Sequence, residues 1–157
     1  MEARLDFFGN APAGKVLRHL NSAGKAASDP GLPVVTQGLV KIRAGQINGC
    51  GSCTDMHTKD ASVAGGTPLR PDPVATWREA TAFTDAERAA LQLAEQGTRI
   101  AESAGGVTDD AWADASQHYD EDQLAALMSL IAVINAYNRI NVINRQPADG
   151  CQPGQFG

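Results

Sequence analysis

Apolar positions along this chain repeat at intervals of three and four, the period of a helix. Val16, Leu17, Leu20, Ala23 and Ala27 mark a first helix from Pro12 to about Ala27, ended by Ser28-Asp29-Pro30-Gly31. Pro33 suits the first turn of a second, where its missing N–H costs nothing, and Val34, Val35, Leu39, Val40, Ile42 and Ile47 give that helix an apolar side to about Gln46. The turn pair Asn48-Gly49 then leads into a helix from about Cys50 to Ala64, stopped by Gly65-Gly66-Thr67-Pro68. A short helix carrying Trp77 is expected over Pro71 to Thr81. Thr84-Asp85-Ala86-Glu87 has the capping-box pattern for the next, whose apolar side (Ala90, Leu91, Leu93, Ala94, Ile100) runs toward Gly105-Gly106. Thr108 caps 109–118. Asp120 to about Asn144 is long and apolar nearly all round, which predicts burial on several sides. No segment alternates convincingly with period two. The expected fold is therefore all-α, a single-domain helical bundle over 12–146, with a lead-in at 1–11 and a flexible tail at 147–157.

Composition agrees with one folded domain: 157 residues, 43% of them hydrophobic, are enough for a real core. The formal charge of −5 comes with no Lys/Arg cluster, so nucleic acid and anionic membrane surfaces are poor partners. The charged N-terminal stretch has no apolar run of signal-peptide length, so no signal peptide is expected, and no stretch is expected to reach the uncharged length that spans a bilayer. The expected compartment is the cytoplasm, where cysteines stay reduced unless a pair turns over.

The chemistry concentrates in Gln46-Ile-Asn-Gly-Cys50-Gly-Ser-Cys53-Thr-Asp-Met-His57, which holds two of the three cysteines and one of the three histidines. At about 100° per residue, Cys50, Cys53 and His57 fall within roughly a 60° arc, on one helix face. Cys53 and His57 are i, i+4 neighbours. Two thiols one turn apart can close a disulfide, an imidazole beside them can move the proton, and a helix start favours thiolate. The rival reading is zinc, but Cys-x-x-Cys plus His leaves the set one ligand short, with no second Cys-x-x-Cys or His-x-x-x-His. A third is structural cysteines beside an incidental histidine.

His57 places Cys53 as the attacking thiolate, with Cys50 resolving the sulfenic acid as a disulfide; the helix dipole argues the other way, for Cys50. Asp60, one turn after His57, is placed to orient the imidazole, whereas Asp55 is expected on the opposite face, solvated. His19 and His118 read as ordinary surface or core-edge residues, and Cys151 as an idle thiol or a third resolving cysteine. Asn135, Asn138, Arg139 and Asn141 interrupt the last helix, as a polar interface, as helix-end hydrogen bonding or as contacts to a neighbouring subunit's site. Trp77, Trp112 and Tyr137 read as core or interface packing.

The stretch Leu39 to Ala61, with its Gln-Ile-Asn-Gly-Cys-x-x-Cys-x-x-x-His core, resembles the signature of the alkylhydroperoxidase D branch of the carboxymuconolactone decarboxylase family. Trp77-Arg78-Glu79, Phe83 to Leu91 and Ile134 to Arg139 resemble its later blocks in the same order, so the likeness spans roughly 12–146. It implies an all-helical, cofactor-free homo-oligomer, a trimer or a multiple of one, and no metal site is expected. It also implies a peroxidase acting on alkyl hydroperoxides or hydrogen peroxide, reduced by a dithiol donor such as a lipoyl group or thioredoxin-like protein. One departure stands out: the branch usually has a proton-relaying glutamate twelve positions before the first motif cysteine, and here that position is Gly38, beside Gln37. Neither residue can act as acid or base. The alternative function is a dithiol oxidoreductase or stress-response thiol protein with little peroxidase activity.

Overall fold

The computed structural model describes residues 2–28, 31–63, 72–148 and 150–152, and among these every regular element is helical. The helices are α1 (Ala11–Ser28), α2 (Val34–Ile47), α3 (Gly51–Val63), α4 (Asp85–Thr98), α5 (Asp109–His118) and α6 (Glu121–Asn144), with a 3₁₀ turn at Asp72–Thr76. Their starts follow local chemistry. Thr84 and Glu87 bond reciprocally in a capping box on α4, Thr108 accepts from Ala111 N–H on α5, and Asp120 and Gln123 form a second box on α6.

α6 is the axis of the bundle, packed on α1, α2, α3, α4 and α5. It inserts Leu124, Leu127, Leu130 and Ile131 into a core shared with Val40, Leu93 and Ala94. The other side of α2 sends Leu39 and Ile42 into a second cluster with Val74, Trp77, Phe83 and Leu91. α2 thus lies between two cores, and the site rests on its C-terminal end. Contrary to the expectation that no stretch reaches spanning length, α6 is long and apolar enough to cross a membrane by length and composition alone. Here its polar residues Asn135, Asn138 and Asn144 are buried inside the bundle.

Several local expectations change. Pro33 precedes α2 as its N-cap rather than entering its first turn. The expected helix over 71–81 is the 3₁₀ turn alone, because Trp77 to Ala80 are held in turns by Arg88, which donates to the carbonyls of Trp77, Arg78 and Ala80. Val16 and Val34 face outward, and α4 ends at Thr98, leaving Ile100 exposed beyond it. The lead-in attaches through backbone groups: Arg4 N–H and Leu5 N–H bond the carbonyl and side-chain oxygens of Asn144, while Leu5 and Phe8 remain exposed. Tyr137 hydroxyl donates to Asn21, tying α6 to α1. The Gly65–Pro68 stop, the end of α3 at Ala64 and the Asp29-Pro30 break lie outside the described residues.

Glu95 joins the second core to the surface. It accepts from Arg43 (2.7 Å), Trp77 Nε1 (3.0 Å) and Arg78 (2.9 Å). Burial alone would raise its carboxyl, but the hydrogen bonds from Trp77, Arg43 and Arg78 outweigh this and hold it at about 2. A depressed carboxyl stabilises the fold fully above its ordinary value of 4.5 and loses that contribution as pH falls from there toward 2. Glu95→Gln is therefore expected to lose stability at pH 7 and to flatten the acid dependence in that window; Glu95→Ala should cost about 3 kcal/mol at pH 7. Urea unfolding at pH 7 and pH 3 measures both.

Candidate active site

The site begins with the way α2 ends. Gly49 takes φ +65°, its N–H bonds Gln46 carbonyl (3.3 Å), and Cys50 N–H bonds Gly45 carbonyl (2.9 Å). This is a Schellman closure, which needs a residue tolerant of left-handed φ at the position of Gly49. Cys50 is at the same time the residue before α3, its carbonyl accepting the N–H of Thr54 (3.0 Å). One cysteine therefore ends one helix and opens the next. Gly45 lets α3 settle there, since a Cβ on it would stand 2.8 Å from Thr54 Oγ1 and 3.7 Å from Cys53 Cβ.

Cys50 and Cys53 form a disulfide with Cα atoms 5.3 Å apart, within the span such bonds take. Both are almost fully buried, at 3% and 1% exposure. Cys53 N–H points at Cys50 Sγ (3.3 Å), and Asn141 Nδ2 on α6 points at Cys53 Sγ (3.3 Å). Each sulfur therefore has one donor, a backbone N–H for Cys50 and a side-chain amide for Cys53.

His57 sits at the midpoint of α3 with its side chain 11% exposed. Its Nδ1 faces Asp60 Oδ2 at 3.8 Å, and its Nε2 is buried without a hydrogen-bond partner. Burial lowers its pKa, the Asp60 carboxylate opposes that, and the Lys41 ammonium adds to it. Lys41 on α2 is itself lowered by burial and raised by Asp60. The imidazole is thus favoured neutral, flanked by a carboxylate with a cation behind it. Asp60 is placed as expected; Lys41 was not singled out from sequence, although its position one turn after Gly38 on the same helix was available. Gln37, beside Gly38, donates its amide N–H to Leu32 carbonyl (2.8 Å).

The asparagines of α6 have an intrachain role. Asn48, two residues before Cys50, donates to Asn135 Oδ1 and Asn138 Oδ1 (2.9 Å each), and Asn135 donates to Thr98 Oγ1 (3.0 Å). Arg139 donates to the carbonyl and side-chain oxygens of Asn135 (3.1 Å each). Asn138 Nδ2 and Asn141 Oδ1 are buried without partners, each an orphan worth about 1–3 kcal/mol of desolvation. Asn141 touches the thiol site of its own chain.

Asp55 is not simply solvated: Lys59 Nζ lies 2.7 Å from it and also donates to Cys151 carbonyl (3.3 Å). The segment after α6 folds back so that Ala148 lies against Gly51, while Cys151 takes no part in a disulfide. His19 and His118 are exposed and away from this cluster, as expected. Trp77 packs in the core; Trp112 is exposed, with Ile100 and Met128, along an apolar groove of about 600 Å³ between α4, α5 and α6. Among the described residues no three His, Cys, Asp or Glu side chains converge to hold a metal ion.

Two outcomes follow from this geometry. Thiol titration of the unfolded, unreduced chain should give one thiol, that of Cys151, and three after reduction. NMR titration should place His57 below the ordinary 6.5, higher in Lys41→Met and lower still in Asp60→Asn, because the cation and the carboxylate act in opposite directions.

Comparison with known proteins agrees with this architecture. The model of the carboxymuconolactone decarboxylase family matches residues 14–96. YdfG of Bacillus subtilis (strain 168), an uncharacterized protein, is 36% identical over 143 residues, covering 90% of this chain and 94% of that one. YnjA of Escherichia coli (strain K12), also uncharacterized, is 32% identical over 124 residues, covering 76% of this chain and 64% of its own length. A crystal structure from Agrobacterium tumefaciens, of a protein of unknown function whose description suggests the antioxidant defence protein AhpD, superposes with a TM-score of 0.85 at 29% identity. It covers 94% of this chain and 98% of that one. With a shared fold, a matched family model and a relative aligned over nearly its full length, this chain belongs to the carboxymuconolactone decarboxylase family.

Proposed function

We propose that the protein is a thiol-dependent peroxidase that reduces alkyl hydroperoxides or hydrogen peroxide through Cys50, Cys53 and His57. The observation that carries this reading is the buried pairing of Cys50 and Cys53 in one helical turn, on the helix that presents an unpartnered imidazole nitrogen. In the reduced protein, Cys53 gives its proton toward His57 and attacks the terminal peroxide oxygen. An S–O bond forms, the O–O bond breaks, and the leaving alkoxide takes a proton to become an alcohol, or water from hydrogen peroxide. Cys50 then attacks the sulfenic sulfur, water departs, and the disulfide closes. A dithiol donor, a lipoyl group or a thioredoxin-like protein, reopens it by exchange and is itself oxidised.

Asp60 takes over the relay that Gly38 cannot supply. It faces His57 Nδ1, the ring nitrogen other than the unpartnered Nε2, and its side chain is 35% exposed, so a proton received by the imidazole has a route to solvent. The Lys41 ammonium on α2 interacts with the same carboxylate. The second reading, a dithiol oxidoreductase with little peroxidase activity, is favoured by Gly38 itself, since α2 offers no carboxylate at that point. We read the working protein as a cytoplasmic homotrimer or a multiple of one; the exposed Ile100, Trp112 and Met128 support an apolar subunit contact.

Stopped-flow consumption of cumene hydroperoxide and hydrogen peroxide with excess dithiol tests the proposal. Wild type should turn over, Cys53→Ser should not, and His57→Gln should be slower by about 10²-fold or more. Asp60→Asn should lose part of the rate and Gly38→Glu should gain. Wild-type consumption no faster than that of the free dithiol would leave only the second reading standing.

A further inference from the structure

We propose that Asn141 is the positioning residue that holds the Cys53 sulfur as a thiolate in the reduced protein, and so decides which of the two cysteines attacks. The inference rests on the dithiol chemistry proposed above but not on peroxide being its substrate.

Asn141 Nδ2 donates to Cys53 Sγ at 3.3 Å across 88 residues of chain, and it does so with its own Oδ1 buried and unbonded. An amide left free to choose would satisfy both its ends; this one keeps its N–H on sulfur and forgoes an acceptor bond. Its helix is fixed at the level of the site, because Asn135 and Asn138, two turns and one turn earlier, are bonded to Asn48 ahead of Cys50. The donor and the cysteine turn are therefore locked to each other through two separate connections. A disulfide sulfur is a weak acceptor and a thiolate a strong one, so the same N–H contributes far more once the bond is reduced. This breaks the balance between the two sulfurs. Cys50 has the backbone N–H of Cys53 and the helix start; Cys53 has the Asn141 amide and His57 one turn on. The titratable groups around Cys53 are His57 and Asp60 on its own helix and Lys41 on α2, whose charge reaches both of them. From α6 the contact is the neutral Asn141.

The test measures the Cys53 thiol alone, in full-length protein carrying Cys50→Ser and Cys151→Ser, from the pH dependence of iodoacetamide alkylation. Asn141→Leu and Asn141→Ala should each raise the Cys53 pKa by about one unit, a roughly tenfold loss of thiolate at a fixed lower pH. The Cys50 thiol, read in a Cys53→Ser and Cys151→Ser background, should stay where it is. With both motif cysteines present, equilibration against dithiothreitol should shift toward the disulfide in the Asn141 variants, because removing the donor destabilises the reduced form. Using two variants guards against one failing to fold, with helical circular dichroism as the check. An unchanged Cys53 pKa, or equal shifts at both cysteines, overturns the proposal. These readouts contain no peroxide, so a shifted thiol in a protein that ignores hydroperoxides would uphold Asn141 while removing the peroxidase reading.

Discussion

Everything at this site depends on how closely the first turn of α3 can be pressed between α2 and α6. Gly45 provides the closeness on one side, where any side chain would collide with Thr54. On the other side, Asn135 and Asn138 grip Asn48 just ahead of the turn. The result is two sulfurs withdrawn from water yet still supplied with donors. Burial by itself raises a thiol's pKa and makes it inert. A reactive pair in such a place therefore needs compensating dipoles, and the N–H of Cys53, the amide of Asn141 and the start of α3 are what the fold offers.

The histidine shows the same logic with opposite sign. A buried imidazole is favoured neutral, which is the form able to accept a proton from a thiol. Asp60 on one side moderates that shift and Lys41 deepens it, so the ring is tuned by two neighbours on two helices. Gly38 removes a carboxylate from α2 while Lys41, one turn later, brings a cation to it. In the proposed mechanism the proton leaves along α3, through the Asp60 carboxylate that follows the histidine on its own helix.

How much of this could be read from the chain alone depended on sequence distance. The caps at Thr84, Thr108 and Asp120 were legible because a cap is decided within four residues, and the starts of α4, α5 and α6 followed. The pairing of Cys50 with Cys53 was legible for the same reason. Trp77 was placed on a helix that does not form, because the carbonyls of that segment are claimed by Arg88 from the next element. Val16 and Val34 have the right spacing and the wrong surroundings: periodicity says which residues share a face, not whether anything covers it. In the sequence Asn141 reads only as an interruption in an apolar helix. Its meaning lies in a contact with a cysteine 88 positions away, and no local pattern encodes that.

The most direct measurement of the central claim is peptide mapping by mass spectrometry after the reduced protein has met one equivalent of cumene hydroperoxide. The account predicts a peptide linked through Cys50 and Cys53, with Cys151 still alkylatable. Recovery of both motif cysteines as free, unmodified thiols would contradict it.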